Sequence, residues 1–238
     1  MYKPIVFLFF LVGISNALLA QNFEAGLTVG LTSYQGDIAV ANRHLIGSSR
    51  PAIGIVGKYR LSDNFVLRGH VLHGKIAGTE KNHPETWRQQ RGFAFSSKLT
   101  ELAAVLEWAF YTKGNWTVYA FGGVGASFFN PQTDYNEPNP YVFTDINRDA
   151  KANYKKVTPV IPLGIGIQYQ LPSNFNLSFD IGYRKSFSDY LDGISVLGNP
   201  DRPDGYHFVG LTLTKAFGGG KSAANRGFKQ GSGDCPKF

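Results

Sequence analysis

Apolar and polar residues alternate along most of the chain, and the alternation recurs in eight segments of roughly ten residues. In the first, Phe23, Ala25, Leu27, Val29 and Leu31 share one face, with Glu24, Thr28 and Thr32 on the other. Ile53, Ile55 and Tyr59 oppose Lys58 in the second, and Phe65, Leu67 and Val71 oppose Arg68 and His70 in the third. The fourth sets Leu102, Ala104, Leu106, Trp108 and Phe110 against Glu101 and Glu107; the fifth carries Trp116, Val118, Val124, Ala126 and Phe128. In the sixth, Ile161, Leu163, Ile165, Ile167 and Tyr169 face away from Gly164, Gly166 and Gln168. Phe175, Leu177, Phe179, Ile181 and Tyr183 oppose Asn176, Ser178, Asp180 and Arg184 in the seventh, and Val209, Leu211, Leu213 and Phe217 oppose Thr212 and Thr214 in the last. A period of two is that of a β-strand with one apolar face. Helical apolar periodicity is absent throughout.

The connections separate a barrel from a sandwich. Leu61–Asn64, Thr112–Asn115 and Pro172–Asn174 are short and rich in turn residues, whereas Gly36–Arg50, Ala77–Ala94, Asn130–Val157 and Ser188–Gly205 are long. Long and short alternate strictly. An outer-membrane barrel has this order, with tight periplasmic turns, long outside loops and both termini in the periplasm. A secreted β-sandwich would turn its apolar faces inward and show less orderly loops. The pattern therefore predicts an all-β protein, an eight-stranded antiparallel up-and-down transmembrane β-barrel over residues 21–217.

If the polar faces line the barrel, they bring Glu24, Glu101, Glu107 and Asp180 together with Lys58, Arg68 and Arg184, and with Arg60 near a turn. The charges nearly cancel, and Gly164, Gly166, Gly182 and Gly210 leave room around them. An eight-stranded barrel is only wide enough to be filled by side chains, and buried charges must be paired. The expectation is an ion-pair network that plugs the lumen. Lys75 and Lys185 fall on the apolar face towards the outside loops and Lys215 towards the periplasm, where each reaches the headgroups. Trp108, Phe110, Tyr111 and Trp116 surround one short turn as an aromatic girdle.

Composition narrows the class further. With 28 Gly and 12 Pro in 238 residues the chain is not helix-dominated. Mean hydropathy is −0.16, and beyond the N-terminus no apolar run approaches the about 18 residues of a membrane helix. Met1–Ala20 reads as a secretory signal peptide, with Lys3 as the basic start, Pro4–Ile14 as the apolar stretch and cleavage after either Ala17 or Ala20. Residues 218–238 are a different material: glycine-rich, with Lys221, Arg226, Lys229 and Lys237 against Asp234 alone. Net charge is +7 for the whole chain, and much of it sits in this tail, which is expected to be a flexible periplasmic segment. It reads either as a solvated spacer or as a peptide that orders on a partner through Pro236 and Phe238. The single cysteine, Cys235, excludes a disulfide framework and a thiolate zinc site. In an oxidising compartment it points to an intermolecular disulfide or to an idle thiol.

Several local motifs stand in a definite order: Ser33-Tyr34-Gln35-Gly36-Asp37-Ile38, then Arg50-Pro51-Ala52-Ile53-Gly54, then the run from Tyr119 to Pro131 that contains Phe121-Gly122-Gly123-Val124-Gly125. Pro162-Leu163-Gly164-Ile165-Gly166 and Asp189-Tyr190-Leu191-Asp192-Gly193-Ile194-Ser195 follow. In this order and spacing the chain resembles the PorG family of small outer-membrane barrels of the Bacteroidetes type IX secretion system, over nearly all of its length after the signal. The resemblance implies a non-enzymatic subunit that associates with a periplasmic ring built from a lipoprotein and a partner protein, of the PorK and PorN types. It also implies a part in protein export and, in gliding species, motility. On this reading Cys235 would bond to a ring protein.

Other chemistry is poorly supplied. A lipid-modifying barrel enzyme needs a Ser nucleophile within reach of a His base. Of His44, His70, His73, His83 and His207, only His73 and His207 face outward near the outside rim, and neither has an obvious Ser and acid at its height. Asp37, Asp189 and Asp192 lie at the outside ends of the first and seventh strands, where they could approach one another across the eighth, and suit either calcium or loop hydrogen bonds. The loop from Asn130 to Asp149 is acidic and aromatic and suits either a surface partner or a cap. No catalytic residue, cofactor, metal or small-molecule substrate is expected, and the compartment excludes nucleic acid. The alternatives to a machine subunit are a lipid-modifying enzyme and an adhesin-like barrel that acts through its outside loops.

Overall fold

The computed structural model describes residues 22–36, 38, 48–80, 85–134, 152–195 and 204–217. The stretch read as a signal peptide and the tail with Cys235, Pro236 and Phe238 lie outside the described residues. The strands are β1 (Phe23–Gln35), β2 (Arg50–Arg60), β3 (Phe65–Thr79), β4 (Ala94–Lys113), β5 (Trp116–Asp134), β6 (Val157–Gln170), β7 (Phe175–Ser186) and β8 (Gly205–Phe217). Each pairs antiparallel with the next, and β8 returns to β1 from Phe23↔Phe217 to Gln35↔Gly205, so the sheet closes on itself. The barrel expected from the alternation is the fold.

Two boundaries differ from the sequence reading. β3 runs past Ala77 to Thr79 and β5 runs past Asn130 to Asp134. The cause is the 20-residue β4, whose first residue Ala94 pairs with Thr79 on one side and Asp134 on the other. A backbone ladder extends there without help from side-chain alternation. A six-residue helix, α1 (Thr86–Arg91), lies in the β3–β4 connection, too short for an apolar period to announce it. The β4–β5 turn is also tighter than read, reduced to Gly114 and Asn115, with Gly114 at φ 60°.

The outer surface carries the apolar faces of all eight strands. Leu27 and Ile55 are each 59% exposed, Val124 68% and Ile165 59%. Soluble monomers do not expose a continuous apolar band of this extent, and a closed barrel leaves no unpaired strand edge for lipid to meet. This is the fold of a small outer-membrane β-barrel. Aromatic rings surround the short-turn end: Phe23 stacks on Phe217, Trp108 lies 5.7 Å from Phe110, and Trp116 lies 4.6 Å from Tyr169. A register shift between Ala109 and Tyr111 leaves Phe110 and Tyr111 both exposed, so a β-bulge adds one ring to the girdle.

Candidate functional site

The interior is the site that this architecture builds, because period-two strands of a closed barrel send every second side chain inward. Near the short-turn end, Glu24 of β1 accepts hydrogen bonds from Asn176 of β7 (3.0 Å) and Thr214 of β8 (2.9 Å), with Arg60 of β2 at 3.7 Å. At mid-height, Glu107 of β4 lies 3.1 Å from Lys58 Nζ and 3.0 Å from Arg68 Nη1. Arg68 reaches across the lumen to Asp180 of β7 at 3.1 Å, and the Tyr119 hydroxyl donates to the other oxygen of that carboxylate. Above this level Glu101 accepts from His70 Nε2 at 2.6 Å and from the Tyr206 hydroxyl, with Arg184 Nε at 3.5 Å. Ser127 in turn lies within hydrogen-bonding distance of the Tyr206 oxygen.

The seven residues named from sequence as the lumen network, Glu24, Lys58, Arg68, Glu101, Glu107, Asp180 and Arg184, are therefore all inside, buried and bridged across strands. His70, on the polar face but outside that set, joins Glu101. Sequence reasoning missed the rings. Lys58 lies under Tyr119, Arg68 stacks at 4.5 Å on Phe121, and Arg184 stacks at 5.1 Å on Phe208. Aromatic faces attract cations most where water is excluded, so these rings complete the surroundings of the bases. Their signal was available. Tyr119 and Phe121 alternate with outward residues of β5, and Tyr206 and Phe208 share the inward face of Thr212 and Thr214.

The long-loop end is closed differently. Ile38, Ile76, Phe93, Phe95, Leu99, Phe129, Val160, Leu191 and Ile194 form an apolar plug. Inside it the Tyr34 hydroxyl lies 2.6 Å from Asp192 and 2.5 Å from Asp204. Asp192 also accepts the Ile194 N–H and Asp204 the Leu191 N–H, which ties the β7–β8 connection onto β1. Of the three aspartates read as a calcium candidate, Asp192 is thus committed to this latch, and Asp37 lies outside the described residues. A cavity of about 20 Å³ remains between the plug and the middle tier, lined in part by Arg68, His70, Asp180 and Arg184. It has room for about one water molecule.

The model of the family described as Domain of unknown function (DUF6089) matches residues 3–224. The chain belongs to this family. No curated protein matches it. Among solved structures, this DUF6089 chain is similar to Neisserial surface protein A, with TM-score 0.48, 11% identity, and coverage of 82% of this chain and 97% of that one. It is also similar to a major outer membrane protein from Thermus thermophilus, with TM-score 0.46, 14% identity, and 81% and 98% coverage. For Ail, the attachment invasion locus protein of Yersinia pestis, the values are 0.40, 11%, 82% and 99%.

On the outside of the DUF6089 barrel, His73 meets Thr100 Oγ1 at 2.9 Å and His207 meets Gln35 at 2.6 Å. Lys185 lies by the Phe187 ring and Lys215 by the Phe175 ring, at opposite ends of β7. Both amines thus sit at the edges of the apolar band, where snorkelling keeps them hydrated.

Proposed function

We propose that this barrel is a non-enzymatic outer-membrane subunit of the type IX secretion and gliding machinery, anchoring a periplasmic ring of PorK-type lipoprotein and PorN-type protein. The observation that carries the non-transport half of this reading is the filled lumen. Glu107, Lys58, Arg68 and Asp180 bridge β2, β3, β4 and β7 through the barrel centre, and the cavity beside them is the size of a water molecule. Such a barrel holds position rather than passing a solute. The ring assignment is supported by the ordered motifs from Ser33 to Ser195 that resemble the PorG family. Export is supported by the signal-like composition of Met1–Ala20. The even strand number leaves both ends of the barrel on one side, and the short turns on that side support its being the periplasmic one. On this reading the basic tail at residues 218–238 is the arm that meets the ring, with Cys235 as the residue for a disulfide and Pro236 and Phe238 as anchors.

The test is co-purification from native membranes, with partners identified, for the full chain and for a chain ending at Phe217. The expected result is a lipoprotein-containing complex with the full chain and its loss with the shortened one. Non-reducing electrophoresis of wild type and Cys235→Ala checks the disulfide separately. Absence of any ring protein from both preparations overturns the assignment. A lipid-modifying enzyme is the second reading, favoured by the outward His73–Thr100 pair; lipid turnover by purified protein that disappears in His73→Ala would decide for it.

A further inference from the structure

At the long-loop end, β3, β4 and β5 carry an outward row that neither the lumen nor the ring reading uses. Lys75 pairs directly with Lys98 across β3 and β4, and Lys98 pairs directly with Asn130 across β4 and β5. The next member is Lys156, immediately before β6, whose Nζ donates to Asn130 Oδ1 at 2.7 Å. All four side chains are exposed. Among the described residues, Lys75, Lys98 and Lys156 take part in no ion pair.

Two like charges facing each other on adjacent strands destabilise the pair, and strands lie only about 4.8 Å apart. A third amine one strand further on adds to the repulsion. The arrangement therefore asks for an anion from outside the chain. Its height identifies the anion's source. Two residues from Lys75 and Lys98 towards the barrel middle lie His73 and Thr100, and two further lie Val71 and Leu102 of the apolar band. Phe128 lies in the same relation to Asn130, and Val157 follows Lys156. The row thus stands at the edge of the hydrocarbon-facing surface, where headgroup phosphates are found.

We propose that Lys75, Lys98, Asn130 and Lys156 form a docking site for the phosphate of an anionic lipid headgroup in the leaflet at the long-loop end. Lysine amines bind phosphate as point charges. Because Asn130 spends its oxygen on Lys156, its amide N–H groups are left to donate to a phosphate oxygen. The proposal rests on the barrel spanning a membrane and is independent of the ring.

The experiment uses the full chain in neutral detergent, with lipid retention followed by native mass spectrometry. The probes are phosphatidylglycerol, phosphatidylcholine and inorganic phosphate. Wild type should retain phosphatidylglycerol in preference to phosphatidylcholine, and Lys75→Ser/Lys98→Ser should weaken that retention about 30-fold. Lys215→Ser, which removes a lone lysine at the other end of the barrel, should weaken it far less than the double variant does. Equal retention by wild type and the double variant overturns the proposal, as does an equal loss in Lys215→Ser. Displacement of the lipid by millimolar inorganic phosphate would reveal a free-anion site and overturn the lipid assignment. Melting in lipid-free detergent guards against a folding artefact: the double variant should melt at the wild-type temperature or higher, since a repulsion is gone. A lower melting temperature would make the lysines supports of the fold and overturn the proposal.

Discussion

Lys58 of β2 and Glu107 of β4 meet at 3.1 Å inside the barrel although β3 runs between their strands. The Lys58 side chain is 2% exposed, so neither charge has water to fall back on. Taking two charges out of water costs nearly what their attraction returns, but removing one partner strands the other. Glu107→Leu leaves both Lys58 and Arg68 short of a counter-charge and should destabilise the barrel by about 3–5 kcal/mol. Lys58→Met with Glu107→Leu should recover most of that loss, because Arg68 keeps Asp180. Urea unfolding of wild type, the two single variants Glu107→Leu and Lys58→Met, and the double variant in detergent measures the cycle. If the double variant is as unstable as Glu107→Leu alone, the pair is not the unit that matters.

The inward glycines are spacers for this network. A Cβ on Gly166 would stand 2.4 Å from Tyr119 Cζ and 2.5 Å from Asp180 Oδ1, whereas one on Gly69 meets nothing within 4 Å. Gly166→Ala should push Tyr119 off Asp180 and cost about 1–3 kcal/mol. Gly69→Ala should leave stability unchanged or slightly raised. Unfolding midpoints of the two alanine variants make the comparison, and equal effects would show that the lumen has slack.

How much of this was legible depends on whether the signal is local. Strand faces announce themselves two residues at a time, so β1 to β8, the three short turns and the inward position of Lys58 or Asp180 could be read from the chain alone. Which acid meets which base could not. Arg68 reaches Asp180, 112 residues away, through barrel closure and register, and neither has a sequence signature. The rings of Tyr119, Phe121 and Phe208 stand at inward positions the alternation does mark, but inward positions read as polar, while in a filled lumen an aromatic face serves a cation. The Tyr34 latch was hidden for a further reason: Asp192 and Asp204 lie in a connection, which has no period to place them.

That latch should respond to pH. Asp192 lies outside the strands, and its carboxyl is held well above the usual range. Burial is the main cause and the Asp204 charge the next, against the opposing hydrogen bonds of Tyr34 and Ile194. One hydroxyl proton cannot serve two carboxylates, so the short Tyr34 contacts with both require a proton on one of them. A carboxyl whose folded pKa is raised above its unfolded value, about 3.8, contributes stability that is fully present below the unfolded value. The contribution is lost as pH rises through the folded one. Hydrogen exchange of residues 187–195 should therefore be slowest in acid after correction for intrinsic rates, and should quicken as pH rises. Asp192→Asn should flatten the profile, and a profile unchanged in that variant would place the switch elsewhere.

The membrane reading can be tested at a single outward residue. Ile165 of β6 is 59% exposed and stands in register with Ala120 of β5 and Ile181 of β7, within the apolar band. If water covered that surface, Ile165→Arg would be a surface substitution worth at most about 0.5 kcal/mol in either direction. Facing hydrocarbon near mid-depth, the same arginine should cost about 2–4 kcal/mol, falling towards zero at the interfaces. Gln132→Arg, exposed at the long-loop rim beside Ser96, supplies the shallow reference. Unfolding titrations of both variants in phospholipid vesicles distinguish the two environments. A cost at Ile165 that vanishes at Gln132 is the depth dependence only a bilayer imposes. Equal, small effects at both positions would mean that the apolar band faces something other than lipid.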